Sequence, residues 1–324
     1  MRLLNHMISL SGTEVTEKQA GEKFRATCGR EEGRKMKFIQ AKGILSPLNG
    51  INVYRGCTHG CIYCDGRSEC YHTPVPFEDI EVKENAPEML EEALRRKRQP
   101  CVVSTGSMCD PYMPCEERLL ITRKCLEIID RYSCGAAVQT KSDLVLRDAD
   151  LLEQINRKTK AVIQVTITTC DEKLCRLIEP NVCSTEQRYR VLKEFQKRKI
   201  PTVVWLTPIL PFINDTEENL KSILELCFDA GVQGIVNMGF GVTLRAGDRE
   251  YFYAKLDEYF PGIKQRYVQT FQNSYECLSE NDRKLKTIFE KECADHGVMY
   301  KAGEILDGIR KMPEKGRQLS LFDL

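Results

Sequence analysis

The chain changes rhythm at Met36. Before it, residues 1–35 are polar and charged with no sustained apolar periodicity, so they are expected to lie outside the packed fold as a disordered leader. A purine-rich run able to encode Glu31-Glu32-Gly33-Arg34 just ahead of Met36 adds a second expectation, that translation begins there and the leader is not made. From Met36 onward, β-branched runs alternate with amphipathic stretches. Strands are predicted over 51–55, 101–105, 136–140, 161–168, 202–206 and 233–236, and helices over 87–97, 116–132, 150–157, 185–199 and 216–230. Polar caps ahead of acidic first turns, as in Asn85-Ala-Pro-Glu88 and Asp215-Thr-Glu-Glu218, mark helix starts. Regular alternation of this kind implies an α/β fold with a parallel sheet and crossover helices, either a doubly wound open sheet or a full or partial β/α barrel. Both architectures gather ligands at the carboxyl ends of their strands. Beyond about residue 245 the pattern turns mainly helical, with a clear stretch at 280–296, and Pro313 and Gly316 then interrupt it. The expected organisation is a core over 36–246, a helical extension over 247–311 and a flexible tail over 312–324.

Composition narrows the setting. The chain has 324 residues, 48 Lys plus Arg against 47 Asp plus Glu, and a formal net charge of +1, so no whole-molecule field attracts polyanions or membranes. No apolar run approaches a membrane span and the first ten residues lack a secretion signal, which gives an expected cytoplasmic location. Sixteen cysteines spread through so large a chain fit a reducing interior better than a disulfide framework. The four histidines are too few for metal sites built mainly on imidazole.

The segment Tyr54-Arg-Gly-Cys57-Thr-His-Gly-Cys61-Ile-Tyr-Cys64 carries the chemistry. Its CxxxCxxC spacing, on a Gly-containing loop straight after a predicted strand, has a chance expectation of about 0.04 in a chain of this composition. Three thiolates can hold three irons of a cubane 4Fe-4S cluster and leave the fourth open, whereas four-thiolate ligation suits electron transfer. A zinc site completed by Cys70, His59 or His72 is the competing reading.

The segment, with the aromatic Tyr63 before its last cysteine, resembles the signature of radical S-adenosylmethionine (SAM) enzymes. In that family the open iron chelates the methionine amine and carboxylate, and one electron splits the sulfonium to a 5′-deoxyadenosyl radical. The resemblance spans roughly 36–246 and is strongest to the spore photoproduct lyase-like branch. It rests on Ser104-Thr-Gly-Ser-Met-Cys-Asp110-Pro-Tyr112 with Glu116, Thr122-Arg123, Thr140-Lys141-Ser142, Arg147-Asp148, Val165-Thr-Ile-Thr-Thr169, Glu179-Pro180 with Arg188, and Pro208-Ile-Leu-Pro211 with Asn214-Asp215. It implies a partial (β/α)6 TIM-like barrel, a 4Fe-4S cluster on Cys57, Cys61 and Cys64, and SAM as cofactor. By the same resemblance, Lys141 would pair with the methionine carboxylate, Thr166 would donate to it, Asp110 would accept from the ribose or amine, and Tyr63 and Arg188 would complete the pocket. A low-potential donor such as flavodoxin or ferredoxin would supply the electron.

One position departs from that branch. The lyase returns a hydrogen atom from a cysteine after the second strand, and here that position is Ser107, with Cys109 two residues on. Initiation therefore carries over and the final product does not. Cys170, Cys175 and Cys183 are the best group for a second cluster, although burial in helices is their ordinary fate.

The tail ends in Gln318-Leu319-Ser320-Leu321-Phe322, which resembles the pentapeptide that docks bacterial DNA polymerases and repair proteins into the sliding clamp. Leu321 and Phe322 would fill an apolar pocket and Gln318 would set orientation, unless the tail docks on its own body. The basic clusters Arg95–Arg98 and Lys197–Lys199 fall at predicted helix ends, where cations complement the helix dipole, and do not by themselves indicate nucleic acid. The expected function is radical SAM chemistry on a DNA lesion or another nucleic-acid substrate. The alternatives are modification of a peptide, protein or small metabolite, and a non-catalytic metal-binding adaptor of a DNA assembly.

Overall fold

A computed structural model describes residues 30–31, 34–74 and 76–313. The central sheet has six parallel strands: β1 (Gly50–Ile51), β2 (Val102–Thr105), β3 (Gly135–Thr140), β4 (Ala161–Thr166), β5 (Thr202–Trp205) and β6 (Gly234–Val236). Each pairs with its predecessor, in the order β6-β5-β4-β3-β2-β1. A doubly wound sheet must reverse its order partway, so unbroken sequential pairing selects the partial barrel.

The two faces of these strands separate by residue parity. Ala136, Val138, Ile163, Val165, Val204 and Ile235 pack outward into the main core beneath the crossover helices. On the other face, Val102, Ala137, Val162, Val203 and Val236 form a distinct apolar layer against Ile305 and Ile309 of the last helix, Ala302–Arg310. That helix plugs the amino-terminal end of the barrel. A backbone bridge between Gly234 and Met299 brings the chain to it.

Local departures from the expected elements have identifiable causes. The predicted strand over 51–55 divides, because the chain leaves the barrel after Ile51 and Tyr54–Arg55 pairs with Ile80–Lys83 in a separate sheet. The predicted helix over 116–132 also divides, into Glu116–Leu119 and Ile121–Arg131, at Leu120 with φ 56°. The buried Glu116 carboxylate accepts from the Ile121 and Thr122 amides at 3.2 and 3.0 Å, capping the second helix from the side.

The folded chain begins earlier than expected. Arg34–Ile39 forms a strand parallel to Ile80–Lys83, and Arg30–Glu31 pairs back onto it, so the boundary after residue 35 is corrected toward the amino terminus. A ladder needs only backbone groups, which an apolar rhythm does not report. Residues 1–29 of the expected leader, and the pentapeptide at 318–322, lie outside the described residues.

After β6, Gly241–Thr243 pairs antiparallel with Glu276–Leu278, and the helices Asp248–Tyr259 and Ile263–Phe271 lie between them in sequence. Phe252, Leu256 and Tyr267 form a small core with Cys61, Ile62 and Tyr63, so the extension packs directly on the cysteine loop. Among the described residues no helix is long and apolar enough to cross a membrane.

Candidate active site

The cysteine loop begins at Gly56, whose φ of +80° and whose missing Cβ, which would sit 2.6 Å from the Phe77 carbonyl oxygen, exclude any larger residue. Three backbone bonds then pin the loop from different sides: Cys57 N to Phe77 O at 3.0 Å, Ile62 N to Ile178 O at 2.9 Å and Asn181 N to His59 O at 3.1 Å. As a result Cys57, Cys61 and Cys64 line one cavity of about 790 Å³ at the carboxyl ends of the strands. All three are free thiols. Burial pushes each thiol up, Cys61 to about 12 even with Lys141 opposing the shift. Such sulfurs are poor surface thiolates and good partners for a cation that replaces their protons.

Geometry bears on what that cation is. Among the described residues no three His, Cys, Asp or Glu side chains converge on a single-ion site. A cubane takes each thiolate on a different iron, so its ligands line a wall rather than meet at a point. Three free cysteines on one cavity wall fit the cluster, and the competing zinc reading finds no fourth ligand beside them: Cys70 is exposed and hydrogen-bonded to Arg245 Nη1 at 3.6 Å, and His72 is exposed outside the cavity lining. His59 is turned toward Asp110 instead.

Lys141 and Thr166 also line the cavity, one residue beyond β3 and at the end of β4. Burial opposes the charge on Lys141, yet Cys61, Glu179, Cys64 and Asp110 outweigh it and hold its ammonium above the usual range. A ligand carboxylate entering here would meet a cation. Tyr63 is fixed by donating its hydroxyl to Glu179, and its ring centroid lies 6.0 Å from Lys141 Nζ.

Arg188 departs from its expected place against the cofactor. It is 1% exposed and is consumed by the protein, donating to Thr166 O at 2.8 Å, Cys183 O at 3.1 Å and Glu179 Oε2 at 2.5 Å. Burial raises the Glu179 carboxyl, but Arg188 and Lys141 outweigh it and hold the group below its usual range. The pair is therefore a charged strut: Arg188 fixes the end of β4, and Glu179 fixes Tyr63.

Asp110 faces the cavity with its oxygens largely engaged. Oδ1 accepts from Tyr112 N at 2.8 Å and Thr140 Oγ1 at 2.7 Å, and Oδ2 accepts from Lys141 N at 2.7 Å with His59 Nδ1 at 3.4 Å. These bonds give Asp110 a hold on the Lys141 backbone while it still lines the cavity. Burial, the largest influence on buried His59, keeps the imidazole pKa lowered. His59, which the sequence offers only as a zinc ligand, and Glu179, which it offers only as part of the resemblance, take their places here through Asp110 and Arg188, 51 and nine positions away, respectively.

Ser107 is exposed on the cavity wall, directly after Gly106, whose φ of +96° and contact with the Gln139 backbone set the turn leaving β2. Cys109 also borders the cavity, but its thiol donates to Tyr54 O at 3.2 Å and burial pushes it up to about 12. The three cysteines weighed for a second cluster have separate partners, in keeping with ordinary burial. Cys175 contacts Arg188 at 3.3 Å, Cys183 donates to Lys141 O at 3.1 Å and Cys170 lies on the side of Cys227.

Comparison with known proteins agrees with this geometry. Residues 51–227 match the family model described as the radical SAM superfamily. An uncharacterized protein of Mycobacterium tuberculosis is 26% identical over 232 residues, covering 68% of this chain and 66% of that protein, just under two thirds of its length. An uncharacterized protein of Methanocaldococcus jannaschii is 32% identical over 187 residues, 55% of this chain and 69% of that one. Spore photoproduct lyase complexed with dinucleoside spore photoproduct has a similar fold, with TM-score 0.59 and 12% identity across 87% of this chain and 93% of that one. The family implies a 4Fe-4S cluster and SAM as cofactors. Taken with three free cysteines on the wall of a strand-end cavity, the match establishes that this chain belongs to the radical SAM superfamily.

Proposed function

We propose that the chain is a radical SAM enzyme acting on a nucleic acid, with a damaged DNA base as its leading substrate. The observation that carries this reading is the composition of the cavity that holds the three cysteines. Its lining bears Cys57, Cys61, Cys64, Lys141 and Thr166, and also Lys286, Lys301, Tyr275 and Tyr300 beside the carboxylates of Glu276, Asp282 and Glu290. Met238, Tyr275 and Leu278, three large side chains left exposed on the molecule, also border it. Lysines beside stackable rings and apolar tips suit phosphates flanking an unstacked base. The lyase that shares the fold is itself complexed with a dinucleoside photoproduct.

In this reading Cys57, Cys61 and Cys64 ligate the cluster, Lys141 holds the SAM carboxylate with Thr166 donating to it, and Asp110 keeps Lys141 aimed. The bound cluster and SAM supply reductive sulfonium cleavage and hydrogen abstraction. Tyr63, fixed by Glu179, and the Phe252–Tyr267 core behind it keep water from that wall. Ser107 cannot return a hydrogen atom as a thiol does, so the substrate's fate differs from photoproduct repair by that route. Flavodoxin or ferredoxin supplies the electron, and Gln318-Leu319-Ser320-Leu321-Phe322 recruits the sliding clamp.

The test is anaerobic reconstitution with a reductant and SAM, followed by quantifying 5′-deoxyadenosine with undamaged DNA, ultraviolet-irradiated DNA, RNA and peptide pools. Nucleic acid should stimulate formation, and deuterium from labelled DNA should appear in the deoxyadenosine. Stimulation by peptides alone would overturn the substrate reading. For the tail, equal clamp affinity of the intact chain and a Gln318/Leu321/Phe322 alanine variant would remove the partner.

A further inference from the structure

The amino-terminal end of the barrel holds two cysteines that the cofactor cavity does not use. Cys101 immediately precedes β2 and Cys134 immediately precedes β3. Val102 is in register with Gly135, and Gly135 N donates to Cys101 O at 3.0 Å, so the two cysteines stand side by side one step before the first rung. Neighbouring strands run about 4.8 Å apart, inside the roughly 4.4–6.8 Å Cα separation that a disulfide spans. Both cysteines belong to the same core cluster, and each is the largest influence on the other's titration. Both are free and buried, at 9% and 3% exposure, beside the exposed stretch Lys97–Pro100.

We propose that Cys101 and Cys134 form a reversible disulfide when the protein meets hydrogen peroxide. The neighbouring Cys101 draws the Cys134 thiol below the ordinary thiol range against the effect of burial, with the Lys97 ammonium contributing, and Cys134 in turn pushes Cys101 up. Cys134 is thus the nucleophile and Cys101 the resolving thiol. The Cys134 thiolate attacks a peroxide oxygen, giving a sulfenic acid and hydroxide. The Cys101 sulfur then attacks the sulfenic sulfur, the S–S bond forms, and water leaves with the thiol proton. Two thiols lose two electrons and two protons in total, and the peroxide becomes two waters. The product staples β2 to β3 beside Val102 and Ala137, where the last helix packs. An enzyme whose cofactor is oxygen-sensitive would gain a thiol pair that yields first at a distance from the cluster.

The experiment uses anaerobically purified, cluster-loaded protein and a few equivalents of peroxide, with alkylation and peptide mass spectrometry while cluster absorbance is followed in the same cuvette. The expected result is a 101–134 cross-linked peptide, lighter by two hydrogens than the separate peptides, that appears before cluster bleaching and disappears with dithiothreitol. The C101S variant should instead leave Cys134 open to dimedone, and C134S should give neither product. Wild-type protein in which both thiols stay alkylatable while other cysteines oxidise, or in which the link forms only after unfolding in urea, would overturn the proposal. Protein stripped of its cluster should form the same link, so this result stands or falls apart from the substrate reading.

Discussion

The two ends of the barrel are built by the same strands and do opposite work. At the amino-terminal end, Val102, Ala137, Val162, Val203 and Val236 meet a helix that presents Ile305 and Ile309, and the layer is apolar. Two residues further along the same faces, the inward positions become Gln139 and Gln164, and beyond them come Lys141 and Thr166 on the cavity. A single parity rule sends these side chains inward, and position along the strand decides whether they meet hydrocarbon or a ligand. Stability and chemistry are therefore separable by height in the barrel. The charged strut Arg188–Glu179 is the exception, because it is fully buried yet serves the upper end.

The comparison predicts a graded set of failures. Replacing any of Cys57, Cys61 or Cys64 with alanine should abolish iron retention and deoxyadenosine formation while thermal unfolding stays near that of the metal-free parent. A variant that keeps full iron and cleavage would remove the ligand from the set. Arg188→Ala should be next in size, because it leaves Glu179 charged and buried, a loss of roughly 3–5 kcal/mol when one partner of a buried pair is removed. Urea unfolding measures it; an unchanged midpoint with weakened SAM binding would return Arg188 to the cofactor.

Ile305→Ala should remove about 2–5 kcal/mol by opening a cavity in the lower layer. Its SAM cleavage per folded, iron-loaded molecule should match the parent, and a fall in that quantity would break the separation of the two ends. The smallest effect is expected at Asp248, the first residue of the helix Asp248–Tyr259. Burial pushes its carboxyl up to about 6, with Asp65 adding to the shift, and its Oδ1 accepts from Arg245 N at 2.6 Å. A carboxyl raised in the folded state favours folding fully below its unfolded pKa, and that advantage disappears as pH rises through about 6. Asp248→Asn keeps an acceptor and removes the charge, so it should raise the urea midpoint at pH 7.5 and leave it nearly unchanged at pH 4. The reverse ordering would refute this account.

Legibility followed the range of the interactions involved. The central β and α stretches were readable because their periodicity is local, and the cysteine loop was readable because its metal-ligating residues lie within eight positions of one another. The break at Leu120 was not, since it depends on a Glu116 carboxylate turning back to cap the next helix. Likewise, an arginine in Thr185–Lys197 reads as an ordinary helical cation until Glu179 and the Thr166 carbonyl are placed around it. The early strand Arg34–Ile39 escaped because its partner, Ile80–Lys83, is more than forty residues away.

The order of residues alone determined an α/β chain with three cysteines suited to an open-cornered cluster, since both conclusions rest on short spacings and local periodicity. Tertiary structure decided which polar residues line the cavity and which brace it from behind, that the last helix packs at the opposite end, and that Cys101 stands beside Cys134. These depend on contacts between distant segments, whose direction and distance no local pattern encodes.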